Sequence, residues 1–238
     1  MRFDIVTLFP ELIDVYTGSG IIGRAVEKGI FEVGYVNLRD YSEDKHKKVD
    51  DYPYGGGPGM LLKPEPMFKA LDAVKKQNSY TIYLSPKGNL FNQKKAKELS
   101  EREHIVLIAG HYEGIDQRII DKYVDEEISM GDYVLTNGEL PVLMIVDAVG
   151  RLIPGALGSD ESTVEESHSD CLLEYPQYTR PESYLGLEVP EILLSGHHKR
   201  IEEWRRFKAI EVTLKRRPDM IKDSSIIEEY NRLSKIYE

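Results

Sequence analysis

The residues best suited to chemistry lie between 129 and 155, SMGDYVLTNGELPVLMIVDAVGRLIPG: a loop with two glycines, a long apolar run, and a lone arginine, Arg151, near its end. Gly131 and Gly138 let the intervening backbone turn tightly, and glycine removes a side chain where a ligand must press against main chain. A loop whose amides and carbonyls face inward grips a purine edge and a ribose without any charged side chain. The stretch therefore reads as a binding site made of backbone. The plainer alternative is an ordinary strand-to-helix connection capped by Asn137. Acidic residues elsewhere, such as Asp50, Glu113 and Glu166, offer oxygen ligands to a hard cation such as Mg²⁺, although no spacing demands one.

Such a loop needs a strand to deliver it and a helix to carry the chain away. Residues 139 to 152 are apolar so densely that a helix there must be largely buried. The same succession of strand, glycine-bearing loop and helix opens at YTIYLSPKG (80–88) and again at HIVLIAGHYEGIDQRI (104–119). Three such units in series predict a parallel α/β sheet. Their loops at 85–88, 110–114 and 130–138 then share its carboxyl edge, where open α/β sheets bind ligands. One pocket built from three loops is the expectation.

The other segments frame this unit. FDIVTLF (3–9) predicts a strand, followed by a helix from Pro10 to about Tyr16. GSGIIG (18–23) matches the dinucleotide-binding fingerprint in letters but lacks a strand before it and a full-length helix after it, so a flexible connection is expected. FEVGYVNLRD (31–40) suggests a second strand. DDYPYGGGPGMLLKPEP (50–66) is a shaped loop with Asp50, Asp51, Tyr52 and Tyr54 at its mouth, suited to folding over a ligand. A helix from about Pro66 to Lys76 follows. LGSDESTVEESHSDC (157–171) has the composition of a linker. Beyond it, Ile201, Trp204, Phe207, Ile210 and Leu214 mark one helix, with Arg200, Arg205, Arg206 and Lys208 largely outside its apolar face. Ile226, Tyr230, Leu233 and Tyr237 mark another, with Ser225 and Glu228 as a capping box.

Composition narrows the class. The 238 residues are 41% hydrophobic and 30% charged, as in an ordinary globular protein. Asp4 and Pro10 break up the first apolar stretch, so no signal-peptide core is expected, and Leu140 to Val146 is too short to cross a bilayer. A cytoplasmic protein is the expectation. Cys171 is the only cysteine, which excludes an internal disulfide and a cysteine-based zinc site, and the adjacent His197 and His198 do not form a helical metal pair. The net charge of -10 argues against indiscriminate coating of nucleic acid. Yet residues 195 to 217 carry eight Lys or Arg against three Glu, a basic stripe suited to selective docking.

Taken in order, MRFDIVTLFPELI, DDYPYGGGPGM, YLSPKG, GHYEGIDQR, EEISMGDYVLTNGELPVL, DAVGRLIPG and LLEYPQYTRP resemble the TrmD family of bacterial tRNA (guanine-N1)-methyltransferases, in the SPOUT superfamily. The resemblance covers essentially the whole chain. It implies a SPOUT-type parallel sheet with a deep trefoil knot at residues 1–157, a linker at 158–174 and a small helical tRNA-binding domain at 175–238. It also implies a homodimer, no DNA or membrane partner, and S-adenosyl-L-methionine bound bent within the knot. By matching motif, the methyl-donor pocket falls on Tyr83, Leu84, Ser85 and Pro86, on Gly110 and Tyr112, and on Met130, Gly131, Asp132, Tyr133, Val134, Leu135 and Gly138. The implied reaction is methylation of the guanosine 3′-adjacent to the anticodon. Arg151 would stabilise charge on the guanine oxygen and a linker carboxylate would act as base. Counting back from YTRP, that base falls on Glu166, where the family more often has aspartate, with Asp170 as a rival.

Two other readings stay open on sequence: a nucleotide-dependent enzyme using GSGIIG and the GGGPG loop, and a non-catalytic RNA-binding protein. No Walker lysine follows either glycine run, which weighs against a nucleoside triphosphate.

Overall fold

Apolar side chains alternating along the strands give the main sheet two buried faces. Phe3, Ile5, Ile82, Leu84, Ile105 and Leu107 pack into one core, and Val6, Tyr83, Val106 and Ile108 into another. The computed structural model describes residues 1–157, Ser167 and residues 172–237. The chain divides into two compact units, Met1–Asp160 and Glu161–Glu238.

In chain order the first unit runs β1 (Arg2–Thr7), α1 (Pro10–Thr17), α2 (Gly20–Glu27), β2 (Glu32–Asn37), β3 (Asp50–Asp51), β4 (Leu61–Leu62), α3 (Pro64–Val74), β5 (Ser79–Leu90), α4 (Gln93–Ser100), β6 (His104–Ile108), α5 (Gln117–Tyr123), β7 (Glu126–Ser129) and α6 (Glu139–Gly150). The five-stranded sheet has the order β2-β1-β6-β5-β7, and every pair is parallel. Helices α1, α2, α4 and α6 contribute to the first core, and α3 and α5 to the second. The expected α/β class with a central parallel sheet is therefore observed.

The amino edge of the sheet is tied across by polar side chains. Arg2 bridges Glu32 of β2 at 2.7 Å and pairs with Asp4, whose other partner is His104 Nε2 on β6 at 2.8 Å. His104 Nδ1 in turn meets Ser79 Oγ of β5 at 2.7 Å. Burial raises the Asp4 carboxyl, but Arg2 and His104 outweigh it and hold the group below the usual carboxylate range.

One local expectation is corrected, one alternative is removed and one expected loop gains a defined form. Residues 18–23 are not a flexible connection, because Gly20 is the first residue of α2, with Ile22 and Ala25 buried against the core. Burial of one apolar face outweighs the glycines. Helix α6 is preceded by Gly138 with no side-chain cap, so Asn137 is not its cap. The segment 50–66 contains a short antiparallel pairing of β3 with β4, which turns the glycine run into a hairpin tip.

The second unit contains the short hairpin β8 (Ser183–Tyr184) and β9 (Leu187–Glu188), then α7 (Glu191–Leu194), α8 (His198–Arg216) and α9 (Ser224–Tyr237). Phe207 of α8 stacks on Tyr230 and Tyr237 of α9 at 5.5 and 6.1 Å, and Arg206 pairs with Glu229. Of the two predicted stripes, Trp204, Phe207, Ile210 and Leu233 are buried, and Ile201, Leu214, Ile226, Tyr230 and Tyr237 are half-buried. The start of α9 departs from the expected box: Asp223 Oδ1 accepts the Ser225 amide at 2.9 Å.

Candidate active site

The three carboxyl-edge loops enclose one cavity of about 510 Å³. The first loop is an excursion within β5. Leu84 and Asn89 both register against Ile128 of β7, so residues 85–88 leave the ladder and return to it. Gly88 allows this, because a Cβ there would lie 2.4 Å from the Glu127 and Ile128 backbone.

The second and third loops lock to each other through main chain. The Gly138 amide donates to the Gly110 carbonyl at 2.7 Å, and a Cβ on Gly138 would stand 2.3 Å from the Gly110 nitrogen. Tyr112 holds φ at +57°, a region costly for a bulky residue, and it lines the cavity. The stem of the 50–62 hairpin is fastened here too. Glu113 N–H donates to Met60 O, and Leu62 N–H donates to Gly114 O, both at 3.0 Å. The glycine-rich tip, with Tyr54 fully exposed, therefore hangs from the site itself.

Tyr83, Leu84, Ser85, Pro86, Gly110, Tyr112, Met130, Tyr133, Val134, Leu135 and Gly138 all line this cavity. Gly131 and Asp132 do not. Gly131, at φ +143°, turns the chain beside the Tyr133 ring, and Asp132 is exposed. Arg151 is not brought to the cavity either. It caps the carboxyl end of α6, a helix of 12 residues and so about 18 Å long. Gly150 beside it packs on Phe31, just before β2 begins at the amino edge. Glu166 and Asp170 lie outside the described residues.

Several lining residues were not anticipated as donor-site residues: Leu61, His111, Glu113, Glu127, Asn137 and Pro141. Behind His111 stands Glu139, fully buried in the first turn of α6. Its Oε1 accepts from Thr7 Oγ1 at 2.5 Å and meets His111 Nε2 at 2.7 Å. Since a carboxylate only accepts, Nε2 carries the proton. A charged residue opening a largely apolar helix was the signal that could have flagged Glu139.

Burial raises the Glu139 carboxyl, but hydrogen bonds from His111 and Thr7 outweigh it and hold it below the usual carboxylate range. A depressed folded-state pKa contributes stability above the unfolded-state value of about 4.3, and this is lost as pH falls through the folded value. Glu139→Gln is therefore expected to lower stability by roughly 1–3 kcal/mol at neutral pH. In urea unfolding, the gap from the unsubstituted chain should close progressively on acidification. A gap that widened in acid would contradict this linkage.

Among the described residues, no cluster of three or more His, Cys, Asp or Glu side chains could hold a metal ion. No helix of the described residues is long and apolar enough to cross a membrane.

The sequence matches known proteins over nearly the whole chain. The model of the family described as tRNA (Guanine-1)-methyltransferase TrmD matches residues 1–223. The chain is 54% identical over 229 residues to the tRNA (guanine-N(1)-)-methyltransferase of Carboxydothermus hydrogenoformans, covering 96% of this chain and 90% of that one. It is 58% identical over 221 residues to that of Treponema denticola, covering 93% and 90%. It is 52% identical over 238 residues to that of Clostridium novyi, covering 100% and 98%. With a cavity of glycine-bearing loops at the carboxyl edge of a parallel sheet and a match this long, the chain belongs to the tRNA (guanine-1)-methyltransferase TrmD family.

Proposed function

We propose that this protein is an S-adenosyl-L-methionine-dependent tRNA methyltransferase acting on N1 of the guanosine 3′-adjacent to the anticodon. The observation that carries the reading is the cavity itself. It is large enough for a nucleoside-sized ligand, and Gly138 packs so closely on the Gly110 and Ala109 main chain in its wall that no Cβ fits between the two loops. When bound, S-adenosylmethionine supplies an activated methyl group on a sulfonium. Residues Met130 to Leu135 with Gly138, Tyr83 to Pro86, Gly110 and Tyr112 would hold it.

The chain's own side chains have two further tasks. The guanine N1 carries a proton and is a weak nucleophile until that proton leaves. Glu166, or Asp170 in its place, takes the proton, a role worth about 10² to 10⁴ in rate. Arg151 offsets the negative charge that then gathers on the guanine oxygen.

Arg151 stands at the opposite end of α6 from the cavity, which supports a homodimer in which one subunit's arginine serves its partner's cavity. An apolar surface suited to such pairing exists. Helices α1 and α6 contact each other and leave Leu12, Val15, Leu140 and Met144 exposed. We also infer that the loops joined at Gly110 and Gly138 thread the deep trefoil knot of the SPOUT superfamily.

The helical unit that follows the linker is read as the tRNA-binding domain. In it a second cavity, of about 690 Å³, is lined by Tyr175, Tyr178, Arg180 and Arg205 among others, and the Arg205 guanidinium lies 5.0 Å from the Tyr175 ring centroid. Aromatic and guanidinium surfaces of this kind suit unstacked bases and phosphates. Extracting a base from the anticodon loop costs a few kcal/mol, which such contacts help to offset. The protein is placed in the cytoplasm, with its substrate. Of the acidic residues that would offer oxygen to Mg²⁺, Glu113 lines the cavity, Asp50 does not, and Glu166 lies outside the described residues.

The test is transfer of labelled methyl from S-adenosylmethionine to an unmodified tRNA transcript carrying the target guanosine, beside one lacking it. Transfer to the first alone is expected. Equal transfer to both would refute the assigned address, and transfer to neither would refute the activity.

A further inference from the structure

Glu127 of β7 registers directly against Tyr83 of β5, and both residues line the main cavity. Its Oε2 atom is buried without a hydrogen-bond partner among the described residues. Most buried polar atoms are paired; this oxygen is closed off from water, so a ligand in the cavity meets the carboxylate through its charge and not through a contact with that atom. The charge already acts on the cavity wall. Burial, and after it the negative charge of Glu127, push the Tyr83 hydroxyl up to about 12, so that ring stays neutral. The lining as a whole leans negative, since Glu113 adds to Glu127 while Lys87, exposed, is its one Lys or Arg.

We propose that Glu127 distinguishes the cationic sulfonium donor from its neutral product, making it a specificity-determining residue of this cavity. The inference rests on the reading of the cavity as the S-adenosylmethionine site. In the reaction, the methyl carbon leaves sulfur and bonds to guanine N1, the N1 proton passes to the carboxylate base, and sulfur keeps the pair from the broken bond. The ligand thereby loses its positive sulfur. A fixed negative charge screened from bulk water favours the ligand before transfer over the ligand after it, by roughly one order of magnitude for unit charges several ångströms apart. Spent product is then displaced more readily by fresh donor. The carboxylate supplies this bias through charge, so a neutral side chain of the same shape should abolish it.

The experiment is calorimetric titration of the full chain and of Glu127→Gln with three ligands. They are S-adenosylmethionine, S-adenosylhomocysteine, and sinefungin, which carries an amine cation in place of the sulfonium. Glu127→Gln is expected to weaken both cationic ligands about tenfold while S-adenosylhomocysteine stays within about twofold. Equal weakening of all three, or weakening of none, overturns the proposal. If Glu127→Gln loses its cooperative thermal transition, Glu127→Asp, which keeps the charge, is measured instead. Retention of the cation preference there supports the proposal, and its loss overturns it. Failure of the unsubstituted chain to bind any of the three is a separate result and overturns the donor reading itself.

Discussion

Gly138→Ala is expected to abolish measurable binding of S-adenosylmethionine while leaving the protein folded. The added carbon would stand 2.3 Å from the Gly110 nitrogen and 2.8 Å from the Ala109 backbone. These neighbours are main chain, so no flexible side chain can swing away. The two loops must separate, which stretches the 2.7 Å bond from Gly138 N–H to Gly110 O and reshapes the wall of the cavity. Overpacking of this kind costs about 1–3 kcal/mol, against a total stability of roughly 5–15 kcal/mol for a domain. Calorimetric titration should show donor affinity lowered by at least about a hundredfold, because a cavity wall displaced by about an ångström loses most of its oriented contacts. Circular dichroism should remain that of the folded chain. Donor binding within about threefold of the unsubstituted protein would show that the loops yield without closing the site.

Arg151→Ala is expected to lower kcat by about 10² to 10³ with little change in donor affinity, the signature of a group acting on developing charge. Its position at the far end of α6 from Gly138 leads to a sharper expectation. Homodimers of Arg151→Ala and of Gly138→Ala should each be nearly inactive. When the two are mixed and allowed to exchange, activity should recover to about a quarter of the unsubstituted rate. Half of the dimers are then mixed, and each mixed dimer has one site with an intact cavity and an intact arginine. The same pairing of Gly138→Ala with Glu166→Gln shows which subunit supplies the base, and Asp170→Asn provides the comparison for its rival. No recovery in the first mixture would mean that Arg151 serves the cavity of its own subunit.

The parallel sheet was legible because three strand-loop-helix units repeat in the sequence, two of them with strands rich in β-branched or aromatic residues and each followed by a glycine-bearing loop. The meeting of the loops at 85–88, 110–114 and 130–138 followed from topology alone. The parts that misled were those where tertiary burial overrides a local pattern. GSGIIG looks like a breaker, yet the burial of Ile22 and Ala25 makes a helix of it. Asn137 looks like a cap, yet it lines the cavity. Glu127 was invisible for a different reason. In DEEIS nothing distinguishes a carboxylate buried beside a cavity from one turned to solvent, since strand periodicity assigns a face and not an environment. Arg151 could be singled out from the sequence, but its separation from the cavity depends on the length of α6 and the direction in which it runs.

The order of strands bears on how this chain is made. Strand β1 takes one neighbour from β2, and its other neighbour, β6, begins about a hundred residues downstream, where His104 meets Asp4. As the chain emerges from the ribosome, β1 stays half-covered until β6 has been synthesised, and α6 cannot dock onto the bond between Thr7 and Glu139 until later still. The amino-terminal third is thus dependent on residues made much later, and a nascent chain stopped before β6 would expose Phe3, Ile5 and Val6 to whatever chaperones are at hand.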